Sequence, residues 1–316
     1  MSAPALDLPR RMGFGVGLDL PWGAAFGFGN DPGRPDVVSE RVTRFLQKHA
    51  ATFRALFVSW QPRNRNRPDA RDYDAPFRDL FARAPVYEAR GLHHTALNLG
   101  ALEAYDHDRV ADFTNALVEA HALRWVNEDL GLWSIHGRPL PYPLPPYLTP
   151  AGLRAAVRNV ARVLSRLTVP LEVEFPGFSE GASFCVGTMH AYDFFRAVVE
   201  ETGAHCTLDV GHLLSYQWFR GMRGEALYGE LERLPLARCT ELHLSGCSVT
   251  GGRFMDLHHG VLLDEQLALL ERLLPLCADL RLVTYEDPRF DDEGELIPKA
   301  RANFERLAAI TARWSS

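Results

Sequence analysis

The chain has 316 residues, of which 47% are hydrophobic and 23% charged, with a formal net charge of −6 at pH 7. This balance excludes a disordered chain, and the acidic charge argues against nucleic acid as a partner. No apolar run approaches the ~20 residues that span a membrane, and the first residues lack the hydrophobic stretch of a signal peptide, so we expect a cytoplasmic protein without membrane contact.

Short apolar runs alternate with helix-length amphipathic segments along the whole chain, which is typical of repeated βα units. The predicted strands are Phe14–Leu20, Ala55–Trp60, Leu92–Leu97, Arg124–Glu128, Leu171–Phe175, Cys206–Val210, Glu241–Leu244 and Leu280–Glu286. The predicted helices are Val37–His49, Asp108–Ala122, Thr149–Leu164, Thr188–Thr202, Asp264–Leu274 and Pro298–Ala312. Eight units favour an α/β fold of the closed (β/α)8 TIM-barrel type, and since no linker divides the chain we expect one domain over residues 1–316.

Two segments rich in glycine or proline interrupt this pattern without dividing it. The glycines of Gly13-Phe-Gly-Val-Gly-Leu lie inside a predicted strand, and no helix opens directly after them, which argues against a dinucleotide-binding fingerprint. The stretch Pro139-Leu-Pro-Tyr-Pro-Leu-Pro-Pro146 is too short for an interdomain linker. We expect it to form part of the barrel rim.

Acidic and imidazole side chains recur at the ends of the predicted strands and in the loops just beyond them, where barrel enzymes collect their functional groups. The candidate metal ligands are His93, Glu128, Glu174, Asp209, His212, His243, Asp256, His258 and Glu286. Buried carboxylates and imidazoles are costly to desolvate unless a cation pairs with them. So many ligands exceed the needs of one ion, and a nitrogen and oxygen set without thiolate suits iron, manganese or zinc.

Each candidate taken alone has a simpler interpretation. A single Glu128 or Glu286 is more often a salt-bridge partner, and a single His93 is more often a buried histidine with satisfied hydrogen bonds. Their joint placement favours metal. Neighbours on a strand face opposite sides, so only one of His93 and His94 can face the site, and we choose His93. Glu172 shares a face with Glu174 and is expected one layer deeper. Either it supports a ligand from there, or the phase assigned to this strand is wrong.

The order of candidates in the second half of the chain resembles a known metal set. Glu174, Asp209-x-x-His212, His243, Asp256-x-His258 and Glu286 follow the order found in the xylose isomerase-like barrel superfamily. That superfamily includes sugar isomerases, sugar epimerases and endonuclease IV. The resemblance implies a xylose isomerase-like TIM barrel.

A narrower resemblance covers almost the whole chain. It rests on Gly15-Val-Gly-Leu, His93-His-Thr-Ala-Leu-Asn-Leu-Gly100, Asn127-Glu-Asp-Leu-Gly-Leu-Trp133, Leu208-Asp-Val, Glu241-Leu-His-Leu-Ser-Gly246, Asp256-Leu-His258 and Tyr285-Glu286. These segments resemble the multinuclear non-haem iron-dependent oxidative enzymes, a family that includes the methanobactin oxidase component. The resemblance implies two or three iron ions (Fe2+/Fe3+), dioxygen, a precursor peptide as substrate and a partner recognition protein. Mn2+ and Zn2+ are the alternative metals.

Four positions and one segment depart from that family's pattern, the segment being Gln61-Pro-Arg-Asn64, which lacks the usual acidic residue. Asp129 stands where a histidine normally follows the glutamate, and Phe175 where an asparagine usually follows Glu174. Gly211 begins a pair that is normally Asn-Asn, and Cys247 replaces a histidine. We expect these changes to alter the ligand field, with Asp129 either binding metal or orienting a ligand through a hydrogen bond.

The function expected first is an iron-dependent oxidase or oxygenase that modifies a peptide side chain, with cysteine in a ribosomally made precursor as the first candidate. Catalytic roles fall to Glu174, Glu286 and Asp129. The alternative is a two-metal sugar isomerase or epimerase, in which Glu174 and Glu286 bridge the metals and shuttle a proton. An endonuclease IV-like phosphodiesterase with three zinc ions and a degenerate, metal-free binding scaffold are weaker alternatives.

Overall fold

The predicted strands pair side by side and close into a barrel. A computed structural model describes residues 4–20, 30–31, 34–60, 67–178, 184–258 and 260–316. The strands are β1 (Gly13–Leu20), β2 (Asn30–Asp31), β3 (Arg34–Val38), β4 (Ala55–Trp60), β5 (Ala89–His93), β6 (Trp125–Asp129), β7 (Leu132–Ile135), β8 (Arg138–Leu144), β9 (Leu171–Glu174), β10 (His205–Asp209), β11 (Cys239–Leu244), β12 (Cys247–Thr250), β13 (Arg253–Asp256) and β14 (Leu282–Glu286). Around the barrel the order is β1, β4, β5, β6, β9, β10, β11 and β14, which pairs with β1 again.

All neighbouring strands of the barrel run parallel, so their carboxyl ends meet at one rim. The register places Asp129 beside Glu174 and Asp209 beside His243. Each of the eight sequence predictions falls on a barrel strand. The third is displaced: the strand is Ala89–His93, and the apolar residues predicted to continue it lie in the loop that follows.

Helices connect the barrel strands and bury their apolar faces against the barrel wall. Those in the described part of the chain are α1 (Glu40–Lys48), α2 (Ala70–Arg83), α3 (His107–His121), α4 (Pro150–Leu164), α5 (Ala191–Thr202), α6 (Val210–Phe219), α7 (Asp264–Leu273) and α8 (Pro298–Ser315). The six predicted helices are confirmed. The sequence analysis missed α2, which contains Pro76, and α6, whose residues are buried on almost every side and so show no polar face. Among the described residues, no helix is long and apolar enough to cross a lipid bilayer.

Two antiparallel hairpins follow barrel strands at the carboxyl-terminal rim. Strands β7 and β8 form the first, and β12 and β13 form the second. The proline-rich stretch predicted as part of the rim supplies most of β8, an outer strand of a two-stranded sheet, where proline need not donate a ladder hydrogen bond.

The opposite end of the barrel is closed by an apolar plug. Leu6 and Leu8, from the segment before β1, pack on Trp125 and on small or aliphatic side chains of neighbouring strands. Gly91 makes room for the indole: a Cβ at this position would lie 2.3 Å from Cε2 of Trp125. The plug therefore fills this end of the barrel with buried side chains, opposite to the rim that carries the candidate ligands.

The fit of Trp125 against Gly91 predicts a loss of stability on enlarging the glycine. Replacing Gly91 by alanine should lower the free energy of unfolding by about 1–3 kcal/mol, because the fully buried indole cannot move aside without strain. Urea denaturation measures this. The matched control is Gly229→Ala, where the nearest atom lies 3.4 Å from the added Cβ, and it should change stability by less than about 0.5 kcal/mol. Equal stability of the two variants would contradict the packing.

Candidate metal centre

The carboxyl ends of the barrel strands present alternate side chains to the barrel interior. On β5, His93 faces inward and comes within 3.1 Å of Glu174, whereas His94 faces outward, with its Nε2 3.0 Å from the hydroxyl of Thr114 on α3. Of these two histidines, only His93 points toward the inward-facing groups. Glu172 also lies where it was expected, one layer below Glu174 on the same face.

Glu174 lies at the middle of the inward-facing groups. Its Oε2 is 3.1 Å from Nε2 of His93 and 3.2 Å from Nδ1 of His243. Glu286 approaches the same imidazole, with Oε1 3.3 Å from Nδ1 of His243. Side chains from four different strands, β5, β9, β11 and β14, thus converge within hydrogen-bonding distance of one another.

A second set of groups continues from Glu174 toward the β12–β13 hairpin. His212 lies in the first turn of α6, which begins directly after β10, and its backbone N–H donates to Oδ1 of Asp209 over 2.7 Å. Its ring Nδ1 donates to the carbonyl oxygen of Phe175 over 2.7 Å. This hydrogen bond fixes the tautomer and leaves Nε2 toward Asp256, 3.0 Å away.

A third set lies nearest the solvent. Nδ1 of His258 is 3.1 Å from Asp287 and 3.5 Å from Asp19, and Nε2 is 3.8 Å from Asp256. Asp19 and Asp287 were not among the ligands predicted from the sequence. Both carried the signal that found the others, since Asp19 lies near the end of β1 and Asp287 directly follows Glu286 at the end of β14.

Among the described residues, five groups have ligand atoms that lie within 4.8 Å of one another and could hold a metal ion. The groups are His93, His243 and Glu286; Glu174, Asp209, His243 and Glu286; Asp129, Glu174 and His212; His212, Asp256 and His258; and Asp19, His258 and Asp287. Each group shares at least one residue with another. Together they form one continuous set of ligands rather than separate sites.

The chemistry of these side chains fits metal. Several of their polar atoms are fully buried and make no hydrogen bond within the described part of the chain: Nδ1 of His93, Oδ1 of Asp129, Oδ2 of Asp209, and Nδ1 and Nε2 of His243. Unpaired buried polar atoms cost free energy, and a bound cation would satisfy them. Carboxylate oxygens and imidazole nitrogens are ligands for iron, manganese and zinc alike.

The charges of the centre perturb one another strongly. Burial opposes charge on His93, but the hydrogen bond to Glu174 and the charges of the surrounding carboxylates together outweigh it and raise the pKa of His93 to about 10. The pKa of Glu174 is held well below its usual value because His243 and His93 outweigh the cost of burial. Burial and the neighbouring carboxylates raise the pKa values of Asp129 and Asp209 to about 7. Perturbed groups of this kind cluster at functional sites.

The structure does not bring Glu128 together with the other candidates. Its neighbour Asp129 faces the barrel interior, so Glu128 points outward. Its carboxylate accepts the backbone N–H groups of Ala96, Leu97 and Asn98 at 3.0, 2.6 and 2.6 Å. Glu128 thus fixes the loop that follows β5.

Of the departures from the family pattern, the segment 61–64 lies outside the described residues, and the four single positions differ in how they touch the centre. Phe175 contributes its carbonyl oxygen to His212, while its ring packs among aromatic side chains such as Tyr192. Gly211 and Cys247 fit each other, because a Cβ at Gly211 would lie 2.7 Å from the Cys247 sulfur. Asp129 alone places a carboxylate among the converging ligands, with Oδ1 3.6 Å from Nδ1 of His212.

The sequence of this chain matches a family model. Residues 46–302 match the family described as RiPP precursor modification enzyme MbnB/TglH/ChrH, where RiPP denotes a ribosomally synthesised and post-translationally modified peptide. The chain belongs to this family. The family is one of enzymes, and its description confirms the resemblance drawn from the sequence.

Two relatives of this family member are named as UPF0276 proteins. A UPF0276 protein from Paraburkholderia phytofirmans is 32% identical over 180 residues, which cover 55% of this chain and 54% of the relative. A UPF0276 protein from an Anaeromyxobacter species is 28% identical over 177 residues, covering 53% of this chain and 57% of the relative. The chain thus spans just over half the length of these relatives.

Solved structures confirm the fold of this family member. A xylose isomerase-like TIM barrel protein from Mycobacterium smegmatis, in complex with magnesium, superposes with a TM-score of 0.56 at 12% identity, covering 98% of this chain and all of the other. A D-allulose 3-epimerase from Methylomonas superposes with a TM-score of 0.54 at 11% identity, covering 96% of this chain and 99% of the other. The fold is a xylose isomerase-like TIM barrel.

Because the side chain of Asp129 points into the barrel and that of Glu128 points outward, conservative substitutions of the two should have different effects. Asp129→Asn should weaken metal binding by at least about 10-fold, because it removes a carboxylate from the converging groups. Glu128→Gln should leave bound metal unchanged and lower the free energy of unfolding by about 1–3 kcal/mol, because it disturbs buried hydrogen bonds. Metal analysis and urea denaturation of both variants test this. Loss of metal in Glu128→Gln would contradict the placement.

The perturbed pKa values also predict a pH dependence of metal binding. Asp129 and Asp209, with pKa values of about 7, and His93, with a pKa of about 10, must lose their protons to ligate a cation. Protons therefore compete with metal most strongly in acid, and affinity should rise between about pH 6 and pH 8 with release of protons to the buffer. Chelator competition across this range, with calorimetry in two buffers, measures both effects. An affinity independent of pH would refute the assignment.

Proposed function

We propose that this protein is a multinuclear non-haem iron-dependent oxidase or oxygenase that modifies a peptide side chain, with cysteine as the first candidate, in a ribosomally made precursor. The observation that carries the proposal is the continuous ligand set, in which five groups share residues at one end of a barrel. A set of this size has donors for more than one ion. Membership of a family of RiPP precursor modification enzymes supports the substrate class.

In this proposal the metals lie in two neighbouring regions. His93, Glu174, His243 and Glu286 would hold one ion, and Glu174, which also forms a group with Asp129 and His212, would take part in holding the next. Asp256 and His258 complete the second region. When bound, iron ions supply a Lewis acid for the substrate heteroatom and electrons for dioxygen.

The protein's own residues would bind and orient the substrate and shield the inner region from water. The carboxylates and imidazoles nearest β9 and β11 are almost fully buried, which keeps bulk water from the inner region. His258 has 32% of its side chain exposed, so the substrate would enter on the side of this histidine. Asp129, with a pKa of about 7 and its carboxylate 3.6 Å from His212, could hold or release a proton beside a bound substrate.

The proposal includes the substrate's delivery. A precursor peptide is longer than the side chain that reacts, and we propose that a partner recognition protein presents it at the rim, in the cytoplasm where such peptides are made. The family description supports a peptide precursor as the substrate. Rim loops outside the barrel would then determine which peptide is modified.

A two-metal sugar isomerase or epimerase is the second candidate. It is favoured by the approach of two carboxylates to one imidazole, since Glu174 and Glu286 lie 3.2 and 3.3 Å from Nδ1 of His243. Carboxylates in that arrangement can bridge metals and move a proton next to a carbonyl. This reaction would need no dioxygen and would proceed with manganese or cobalt.

The test is an assay of the iron-loaded protein with a precursor peptide, and with a partner protein where one is encoded beside it. We expect a change in peptide mass that requires both iron and dioxygen. The double variant Asp209→Ala with His243→Ala should bind little metal and leave the peptide unchanged, while Glu128→Gln should retain activity. An unchanged peptide mass with iron still bound would overturn the oxidative function, and sugar turnover without dioxygen would establish the alternative.

A further inference from the structure

A layer of polar side chains lies directly beneath the candidate metal centre, between it and the apolar plug. Its members face the barrel interior two residues before the ligands on the same strands, and include Asn127, Glu172, Thr207, Glu241 and Thr284. All are almost completely buried. The amide of Asn127 donates to the Thr207 hydroxyl over 2.7 Å, and that hydroxyl is 2.9 Å from Glu172. Burying so many polar side chains in a barrel interior costs free energy, so we expect the layer to have a functional role.

The imidazole of His243 stands between this layer and the centre. Its Nδ1 faces upward, 3.2 Å from Glu174 and 3.3 Å from Glu286, while its Nε2 faces downward, 3.3 Å from Oε1 of Glu241. The ring stacks on Phe57, with centroids 4.9 Å apart and an interplanar angle of 30°. The two nitrogens therefore meet different surroundings, and the stacked ring cannot exchange them freely.

Glu241 is itself held in place. The hydroxyl of Thr284, on the adjacent strand β14, donates to the same Oε1 that faces His243. The Cβ position of Gly15, on the next strand around the barrel, would lie 2.6 Å from that hydroxyl oxygen, so the absence of a side chain there makes room for the threonine. Strands β1, β14 and β11 together fix the carboxylate under the imidazole.

We propose that Glu241 is a positioning residue: Nε2 of His243 makes no hydrogen bond among the described residues, but it lies 3.3 Å from Oε1 of Glu241, and when metal binds Nδ1 this carboxylate accepts the Nε2 proton. The inference rests on the proposed metal centre and specifies how one of its ligands is oriented. A histidine ligand that gives its second N–H to a carboxylate is fixed in one tautomer and becomes a better donor. Glu241 reaches no other candidate ligand at hydrogen-bonding distance among the contacts of the described residues, so its effect passes through His243.

Variants at position 241 test this with Zn2+ as the probe. Glu241→Leu keeps much of the side chain's volume but removes the acceptor, and should weaken Zn2+ binding by about 10- to 100-fold in chelator competition. Glu241→Gln retains an acceptor oxygen and should restore affinity to within about threefold of the parent protein. The matched control is Glu128→Gln, a buried carboxylate that faces away from the barrel interior, which should also bind normally. Equal affinity in Glu241→Leu, or equal loss in Glu128→Gln, would overturn the proposal.

The unaltered protein provides a second test that does not depend on any variant folding. In Zn2+-loaded protein with 15N-labelled histidine, NMR should show His243 with its proton on Nε2 and its Nδ1 shifted by metal. His212, which gives its Nδ1 proton to Phe175, should show the opposite tautomer. A His243 that carries its proton on Nδ1 would refute the positioning role. A parent protein that binds no Zn2+, iron or manganese would instead refute the proposed metal centre, so the two failures can be told apart.

Discussion

The cost of placing charge inside a barrel governs this structure. Eleven acidic and imidazole side chains, those of the five linked groups, meet at one end of the strands, and eight of them are buried. Desolvation raises the pKa values of Asp129 and Asp209 to about 7, and only mutual pairing keeps Glu174 ionised. Without cations the protein must distribute protons among these groups and leave several polar atoms unpaired. Divalent metal would relieve both costs. We therefore expect metal bound at the centre to stabilise the folded protein as well as to serve its function.

Strand alternation and register turn this constraint into geometry. Inward-facing positions fall into layers: an apolar plug around Trp125, a polar layer that contains Glu241, and the candidate centre above it. The layers are in contact with one another: Phe57 of the plug stacks on His243, and Glu241 of the polar layer lies beneath the same ring. The same alternation turns His94 and Glu128 outward, where they hold the loop and helix beyond β5. Residues next to each other in sequence therefore perform unrelated tasks.

Much of this could be predicted from the sequence because both the barrel and its ligands follow simple periodicities. Eight apolar runs separated by helices indicated the barrel, and the acidic and imidazole residues at the strand ends indicated the ligands, whose order from Glu174 to Glu286 resembles that of xylose isomerase-like barrels. The alternation rule that selected His93 over His94 would also have excluded Glu128 once Asp129 was placed inside. Asp19 and Asp287 were missed because a single acid near a strand end is ordinary, and only the closure of β1 against β14 brings them to His258. Helix α6 was missed because a helix buried on all sides has no amphipathic pattern.

Crystals of protein reconstituted with iron under anaerobic conditions would test the central claim most directly, through anomalous scattering at the iron absorption edge. We expect more than one peak, with one between Glu174, His243 and Glu286 and another beside His212 and Asp256. A single peak outside these groups, or a fully folded protein that shows none in the presence of excess Fe2+, would contradict it.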